Sequence, residues 1–226
     1  MAVKLISVNL GLPREVVWKR KQVRTGIFKE PVAGRVVLHT LNLDGDQQAD
    51  LSVHGGADKA VYAYPAEHYD YWRGELPSMQ LPWGMFGENF TTEGLLETAV
   101  HIGDRFRIGS AEVLVTQPRM PCYKLGIKFR RDDIITRFLN SRRTGFYFAV
   151  LREGEVAAGD VFERVGTHHS GVTVEDITKL YVTDKDNVEL LRRAVQVEGL
   201  AESWRGHFQH RLDKLRAQQG DGLRHT

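Results

Sequence analysis

Residues 112–125, EVLVTQPRMPCYKL, contain the single cysteine of this 226-residue chain and decide how the rest of it is interpreted. The β-branched run Glu112–Thr116 predicts a strand, so the thiol of Cys122 is expected on a loop at the end of that strand. Pro118 and Pro121 fix φ on both sides of Arg119 and stiffen the loop. The sequence therefore predicts a thiol held at a strand end, close to a cation.

A lone cysteine forms no disulfide within its own chain, which leaves packing, nucleophilic chemistry and metal ligation as its roles. Free cysteine often behaves as a small buried hydrophobe, so packing is the default interpretation. Arg119 lies within reach and favours the thiolate, the form that attacks electrophiles and binds soft metals. The choice between these roles depends on the neighbouring motifs.

The composition is that of a soluble globular protein, with 42% hydrophobic and 27% charged residues. The length suits one large domain, or a domain with a small appendage. A net charge of +2 argues against a binder of nucleic acid polymers and against a membrane-surface protein. No apolar run approaches the roughly 18 residues that span a bilayer. Residues 1–13 lack the apolar region of a signal peptide, and without an internal disulfide a cytoplasmic location is expected.

Residues 1–165 are punctuated like a β-rich domain, with short apolar runs between Gly, Pro and Asp turns. The runs that predict strands are Lys4–Val8, Arg35–Leu41, Ala60–Tyr64, Glu112–Thr116 and Phe146–Leu151. Two helices are predicted between them, at Ala66–Leu76 and Asp132–Asn140. Strands in this order with inserted helices favour a barrel or a strongly coiled sheet over a parallel α/β sheet.

Residues 166–226 have a different pattern, in which a linker at 165–171 is followed by three short helices. A capping box is expected from Thr173 to Asp176, and a second helix from Asp186 to Glu198 with Gly199 as its left-handed cap. The third helix carries one apolar face, formed by Trp204, Phe208, Leu212 and Leu215. Residues 170–216 hold eight basic and eight acidic side chains, so this bundle lacks the basic footprint of a DNA reader.

Four segments combine glycine with functional side chains: Trp18–Lys29, Asp50–Ala60, Gly84–Thr91 and the loop around Cys122. The first has five cations and no acid, and beside Gly26 it is suited to hold an anion. Taken singly, each segment is a weak signal, because a solvated loop explains the first and an ordinary turn explains the second and third. Their combination and order are more informative.

In that order the motifs resemble those of the MOSC domain, the C-terminal domain of molybdenum-cofactor sulfurases. The matching stretches are Val53–Ala60, Phe86–Phe90, Ile102–Asp104, Gln117–Arg119 and Pro121–Leu125. The similarity is to the YiiM-like branch and covers nearly the whole chain. It implies a mainly β fold: a MOSC-type β-barrel with inserted helices in residues 1–165, then a linker and a small three-helix bundle in residues 166–226.

The resemblance also implies a molybdenum-dependent oxidoreductase that detoxifies N-hydroxylated compounds, such as hydroxylaminopurine-like bases and amidoximes, by reducing them. Its cofactor would be the molybdenum cofactor, Mo-molybdopterin. Electrons would come from a separate flavoprotein or iron–sulfur reductase, because no further cysteine and no flavin or dinucleotide fingerprint is present. The aminotransferase-like domain of the full sulfurases does not fit in a chain of this length.

Carried over to this sequence, Cys122 takes the position of the molybdenum ligand. The residues expected to hold the pterin and its phosphate are Lys21, Arg24, Thr25, His54, Lys59, Glu88, Asn89 and Arg119. The proton donor stays open among Asp58, His54 and Glu88, and an ordinary pKa of roughly 6.5 favours His54.

Two other functions remain open. One is a carrier or storage protein that binds the cofactor without turnover, and the other is a metal-free binder of a phosphate ligand whose cysteine is only packed. In the enzyme interpretation, the C-terminal helices are expected to dock the electron donor or a second copy of the chain, as in a homodimer.

Overall fold

The computed structural model describes residues 3–49, 55–166 and 171–222. Its strands are β1 (Lys4–Leu10), β2 (Arg14–Trp18), β3 (Lys21–Thr25), β4 (Glu30–Pro31), β5 (Val36–Leu38), β6 (Val61–Pro65), β7 (Phe90–Glu93), β8 (Arg105–Ile108), β9 (Ala111–Pro118), β10 (Phe146–Arg152), β11 (Gly154–Val156) and β12 (Glu163–Gly166). Its α-helices are α1 (Glu67–Glu75), α2 (Tyr123–Phe129), α3 (Ile134–Ser141), α4 (Val174–Val182), α5 (Val188–Val195) and α6 (Glu202–Gly222).

Eight of the strands form one curled sheet in the order β12-β8-β9-β10-β6-β7-β1-β4. All neighbours are antiparallel except β6 and β7. The sheet curls because β1 also meets the chain just before β12: Leu5 N donates to Asp160 O at 2.9 Å and Phe162 N to Val3 O at 2.9 Å. The result is a half-barrel, which confirms the barrel-like fold predicted from the sequence. All five predicted strands are present, with shifted ends.

The inside of the half-barrel holds an apolar cluster that continues into the C-terminal helices. Phe106, Phe148 and Phe162 lie at its centre, with ring centroids about 6 Å apart. Ile177 and Leu191 of α4 and α5 are fully buried in the same cluster. The helices therefore share the core of the sheet, and burial of their apolar faces against it stabilises both.

A second cluster, mainly aromatic, packs α1 and α3 against the outside of the sheet. Trp72 Nε1 donates to Tyr64 Oη at 2.7 Å, and the Tyr64 and Phe86 rings stack with centroids 4.4 Å apart. Phe138 of α3 stacks on Trp72 at 6.1 Å. Because Phe86 belongs to the turn before β7, this cluster fixes that turn behind the candidate site.

The capping box at the start of α4 is confirmed. Thr173 Oγ1 accepts from Asp176 N at 3.0 Å, and Asp176 Oδ2 accepts from Thr173 N at 3.1 Å. The cap predicted at Gly199 is wrong, since α5 ends at Val195 and Gly199 has no positive φ. A Cβ at Gly199 would lie 2.7 Å from the Cα of Gly103, so this glycine permits close contact with the barrel.

Among the elements that were not predicted, two bear on the candidate site. The basic segment forms the two-stranded ribbon β2–β3, with Lys19 and Arg20 at positive φ in its turn. The chain also enters a helix, α2, directly after Cys122. Within the part of the chain that the structure describes, no helix has the length and apolar character needed to cross a bilayer.

Candidate functional site

Cys122 lies where the chain passes from β9 into α2. Arg119 N donates to Gly145 O at 3.2 Å, which holds the loop against the chain that leads into β10. Cys122 is extended, with φ −119° and ψ 171°, and its carbonyl accepts from Leu125 N at 2.9 Å to begin the helix. The thiol is half-buried. The predicted position at a strand end is therefore correct, with a helix added after it.

Cys122 lines a cavity of about 90 Å³ that is open to solvent. Five of the residues predicted from the sequence line it: Thr25, Lys59, Asn89, Arg119 and Cys122. The other lining residues used below are Lys29, Asp46, Tyr62, Lys124 and Tyr147.

The remaining predicted residues are not among those that line the cavity. Lys21 and Arg24 are exposed on the β2–β3 ribbon, and Asp58 is exposed in a 3₁₀ turn at Ala57–Lys59. Glu88 is completely buried. For these four residues, contact with a cofactor or substrate stays a prediction. His54 lies outside the described residues.

Glu88 braces the turn that precedes β7. Its carboxylate accepts from Gly84 N at 2.8 Å, from Phe86 N at 3.0 Å, from Thr91 Oγ1 at 3.0 Å and from Tyr69 Oη. Burial raises the pKa of Glu88, and these hydrogen bonds oppose the shift. With four donors on one carboxylate, Glu88 holds the turn that carries Asn89.

Asn89 belongs to a buried polar network in the cavity wall. Its Nδ2 donates to Asp46 Oδ2 at 2.9 Å, and its Oδ1 accepts from Tyr62 N at 3.2 Å. Lys29 Nζ donates to Asp46 Oδ2 at 2.6 Å. Burial lowers the pKa of Lys29, and the Asp46 carboxylate opposes that shift.

Sequence reasoning missed Lys29 and Asp46. Lys29 ends the basic segment, which was a usable signal, but nothing in the sequence near Asp46 indicates its role. The two side chains are only 8% and 1% exposed, so they form a buried ion pair.

Arg119 is a buried cation without a carboxylate partner among the described residues. Its guanidinium carbon lies 5.2 Å from the ring centroids of both Tyr62 and Phe138. Burial alone would lower the pKa of Arg119, but its interactions with Tyr62, Tyr147 and Cys122 raise it. Its Nη1 is buried and has no hydrogen-bond partner in the described part of the chain. An orphaned charged donor at a cavity wall is suited to an anionic ligand.

The charge of the cavity is positive. Asp46 is the one acid among its described lining residues, and Lys29 pairs with it. Three more cationic side chains, from Lys59, Arg119 and Lys124, line the same space. The sequence analysis did not select Lys124, although it stands two residues after Cys122. This arrangement attracts a ligand with more than one negative charge.

The lining residues fit a metal that arrives with its own ligands. Among the described residues no group of three or more His, Cys, Asp or Glu is placed to hold a metal ion. The described residues therefore do not form a metal site by themselves. Cys122 offers one thiolate, a soft ligand that completes the coordination of a metal already bound by sulfur. The cations and the orphaned Nη1 of Arg119 match the phosphate of such a complex.

The chain is similar to known families and to solved structures. The MOSC domain family matches residues 50–163, and the family "YiiM-like, 3-alpha helix domain" matches residues 172–215. The solved structure of YiiM from Geobacillus stearothermophilus is similar, with a TM-score of 0.79 and 33% identity, covering 93% of this chain and 99% of that one.

The curated proteins that are similar in sequence include one from a bacterium and one from a fungus. The uncharacterized protein YflK of Bacillus subtilis is 42% identical over 211 residues, which is 93% of this chain and 95% of YflK. A protein named "Reductase" from Gibberella moniliformis is 28% identical over 179 residues, which is 78% of this chain but 32% of the fungal protein.

Proposed function

Since the chain belongs to the MOSC domain family and to its YiiM-like branch, we propose that it binds the molybdenum cofactor and reduces N-hydroxylated compounds. The observation that carries the proposal is the meeting of a single thiol with three cations in one cavity. The fungal reductase supports an oxidoreductase class, because its name describes such an activity.

In this proposal the lining residues share the binding of one dianionic ligand. Cys122, as thiolate, is the protein ligand of molybdenum, because soft metals prefer sulfur. Arg119, Lys59 and Lys124 bind the phosphate and the pterin through charge-assisted hydrogen bonds. Thr25 and Asn89 add neutral contacts. His54 remains a predicted contact.

The reaction consumes two electrons and two protons: R–NH–OH + 2 e⁻ + 2 H⁺ gives R–NH₂ + H₂O. The N–O bond breaks, the nitrogen is reduced, and the oxygen leaves as water. When bound, the cofactor supplies a metal that exchanges two electrons with the substrate. A separate flavoprotein or iron–sulfur protein is the reductant and is oxidised by the same two electrons.

Of the two protons, one has a source in the cavity wall. Lys29 Nζ holds a proton beside Asp46, and burial makes this ammonium a stronger acid than lysine in water. We propose that Lys29 replaces Glu88 as a candidate donor, because Glu88 is enclosed by its four hydrogen bonds. His54 and Asp58 remain the other candidates.

The test is expression in cells that synthesise the cofactor, followed by metal analysis, pterin fluorescence and an assay with an N-hydroxylated purine. A chemical electron donor makes the assay independent of any partner protein. We expect molybdenum, pterin and turnover in the wild type, and a loss of activity of about 100-fold or more in Cys122→Ser. The exposed neighbour variant Tyr123→Phe is the matched control and should retain both metal and activity.

Three outcomes contradict the proposal. Full activity in Cys122→Ser excludes the thiolate as the metal ligand. Bound molybdenum and pterin without turnover of any N-hydroxylated substrate identify a carrier, whereas absence of both identifies a binder of another phosphate ligand.

A further inference from the structure

The β2–β3 ribbon is a basic projection whose function is not explained by the cavity. Residues 14–25 contain five cations (Arg14, Lys19, Arg20, Lys21 and Arg24) and one acid, Glu15. Apart from the pair between Lys19 and Asp132, at 2.8 Å, these side chains form no ion pair with any residue in the described ranges. The ribbon therefore presents net positive charge to solvent.

The ribbon lies close to the cavity. Thr25, its last residue, lines the cavity wall. Since a strand advances about 3.3 Å per residue, Lys21 lies roughly 13 Å from Thr25 along β3. The charged turn is therefore near the cavity mouth, although its side chains are not part of the cavity lining.

The ribbon also runs beside α2, the helix that begins after Cys122. At its base, the guanidinium carbon of Arg14 lies 3.8 Å from the Phe28 ring centroid, and Lys128 Nζ of α2 lies 5.1 Å from the same centroid. At its tip, Lys19 pairs with Asp132, just beyond the helix. Arg130, which is exposed, lies in the same loop as Asp132, two residues before it in the chain.

We give the name basic face to the exposed cations of the ribbon and of its neighbouring loop, which are Arg20, Lys21, Arg24 and Arg130. The name covers both sides of the ribbon, because Lys21 and Arg24 are three residues apart on one strand. Val17, which is 73% exposed, projects from the same ribbon and is the most exposed large apolar side chain of the described residues. Val17 lies opposite Gln22 in the ribbon, close to the charged turn. An exposed apolar residue near a cluster of cations is typical of a surface that binds an acidic protein, where charges steer the encounter and apolar contact adds affinity.

We propose that the basic face docks the electron donor, an acidic protein that carries a flavin or an iron–sulfur cluster. This inference rests on the proposed function, because only a redox enzyme needs such a partner. The donor loses two electrons for each substrate reduced, and docking beside α2 brings its redox group close to Cys122. Lys21 and Arg24 thereby receive a role in place of the predicted cofactor contact.

A protein fits this face better than a nucleic acid or a membrane. A duplex reader uses many phosphate contacts over an extended basic surface. Here the four cations lie on one short ribbon and its neighbouring loop, and the whole chain has a net charge of only +2. The small size of the face suits a transient encounter with a small redox protein.

The test compares two charge-reversal variants that each change the charge by four units. Arg20→Glu/Arg130→Glu alters the basic face, and Lys185→Glu/Arg192→Glu alters exposed cations near or on α5. The probes are an acidic FMN flavodoxin and an acidic [2Fe–2S] ferredoxin, each supplied in reduced form. Rates with these probes are compared with rates driven by a reduced dye, at low and high salt. Binding of flavodoxin to cofactor-free protein is measured separately by calorimetry.

We expect Arg20→Glu/Arg130→Glu to lower kcat/KM for at least one probe by about tenfold or more at low salt, with the difference disappearing near 0.5 M salt because exposed charges are then screened. Its dye-driven rate should stay within twofold of the wild type. Flavodoxin binding should weaken in parallel, and Arg20→Lys/Arg130→Lys should restore both. The α5 variant should match the wild type.

Several results would overturn the docking surface. An equal loss in the α5 variant would move docking to the C-terminal helices. If Arg20→Glu/Arg130→Glu lowered the dye-driven rate as much as the probe-driven rate, the basic face would belong to the catalytic centre. If kcat/KM with both probes stayed unchanged in this variant, the basic face would have no role in electron transfer. If duplex DNA or phosphatidylserine vesicles bound more tightly than flavodoxin, the partner of the basic face would be a nucleic acid or a membrane.

Absence of metal and of dye-driven turnover would instead refute the proposed function. The calorimetric binding of flavodoxin would then still decide whether the basic face is a docking surface.

Discussion

Asn89 and Asp46, which are 43 residues apart in the chain, are joined by a hydrogen bond of 2.9 Å from Nδ2 to Oδ2. Asp46 also accepts from Gly11 N at 2.9 Å and pairs with Lys29. This carboxylate therefore ties the turn before β7 to two other segments of the cavity wall. Because the network is buried, the loss of any one of these hydrogen bonds lowers the stability of the fold.

Asp46→Asn should destabilise the protein strongly. It leaves the Lys29 ammonium buried without its counter-charge, and breaking a buried ion pair in this way costs about 3–5 kcal/mol. Urea denaturation of cofactor-free protein measures the loss. Asp70→Asn, which removes an exposed pair with Arg73, is the control and should cost less than about 1 kcal/mol. Similar losses in both variants would contradict a special role for Asp46.

Lys128 should make stability depend on pH in a defined range. Burial lowers its pKa to about 8, whereas in the unfolded chain it titrates near 10.4. Between these values the unfolded chain binds more protons, so this group makes stability rise as pH increases through about 8.

The measurement is the free energy of unfolding at pH 7, 8, 9 and 10 for wild type and Lys128→Met. The wild type should gain stability relative to the variant as pH rises. The exposed-lysine variant Lys185→Met should run parallel to the wild type. If the free energy of unfolding of Lys128→Met also changed with pH in parallel with the wild type, Lys128 would have an ordinary pKa.

Arg119→Met should separate stability from ligand binding. It removes a buried cation that lacks a carboxylate partner among the described residues, and a methionine retains contact with Tyr62 and Phe138. We expect the unfolding free energy of cofactor-free protein to fall by less than about 1 kcal/mol, or to rise. The pterin content of protein made in cofactor-producing cells should be lost.

The contrasting variant is Arg164→Met. Arg164 pairs at 2.6 Å with the fully buried carboxylate of Asp104, so its removal should cost about 1.5–3 kcal/mol and leave the pterin content unchanged. If Arg119→Met were the more destabilising variant and kept its pterin, Arg119 would be a structural residue.

Tyr69→Phe should loosen the turn before β7. The Tyr69 hydroxyl donates to the buried Glu88 carboxylate, and burial raises the pKa of Tyr69 so that it stays protonated. Loss of a hydrogen bond to a charged group costs about 1.5–3 kcal/mol. Chemical denaturation should detect this cost, whereas Tyr71→Phe on the same helix should change stability by less than about 0.5 kcal/mol. The idea fails if both variants are equally stable.

Local patterns predicted much of the architecture. The five strand predictions and the capping box at Thr173 depend on alternation and on contacts within a few residues, which a sequence displays directly. The β2–β3 ribbon had a similar signal, because Val16 and Trp18 face the same side as Val23. The dense charges of this segment concealed that alternation. Helix α2 was missed because it is only seven residues long and follows two prolines.

The candidate site was less predictable, since its members come from distant segments. Lys29 and Asp46 are 17 residues apart, and no short pattern indicates that they pair. The basic segment, residues 18–29, was expected to hold an anion. Of its residues, the cavity is lined only by Thr25, Gly26, Ile27 and Lys29. Lys21 and Arg24 remain exposed to solvent on the ribbon, which a list of cations does not reveal.

The sequence by itself determined that one thiol stands at a strand end beside Arg119, and that glycine turns precede it in a recognisable order. Only the tertiary structure decided which cations share the cavity with Cys122, and which remain in solvent. The physical reason is desolvation: a charged side chain enters the interior only where a partner, a ring face or a ligand compensates it. Those partners are set by how distant strands meet, not by neighbouring residues.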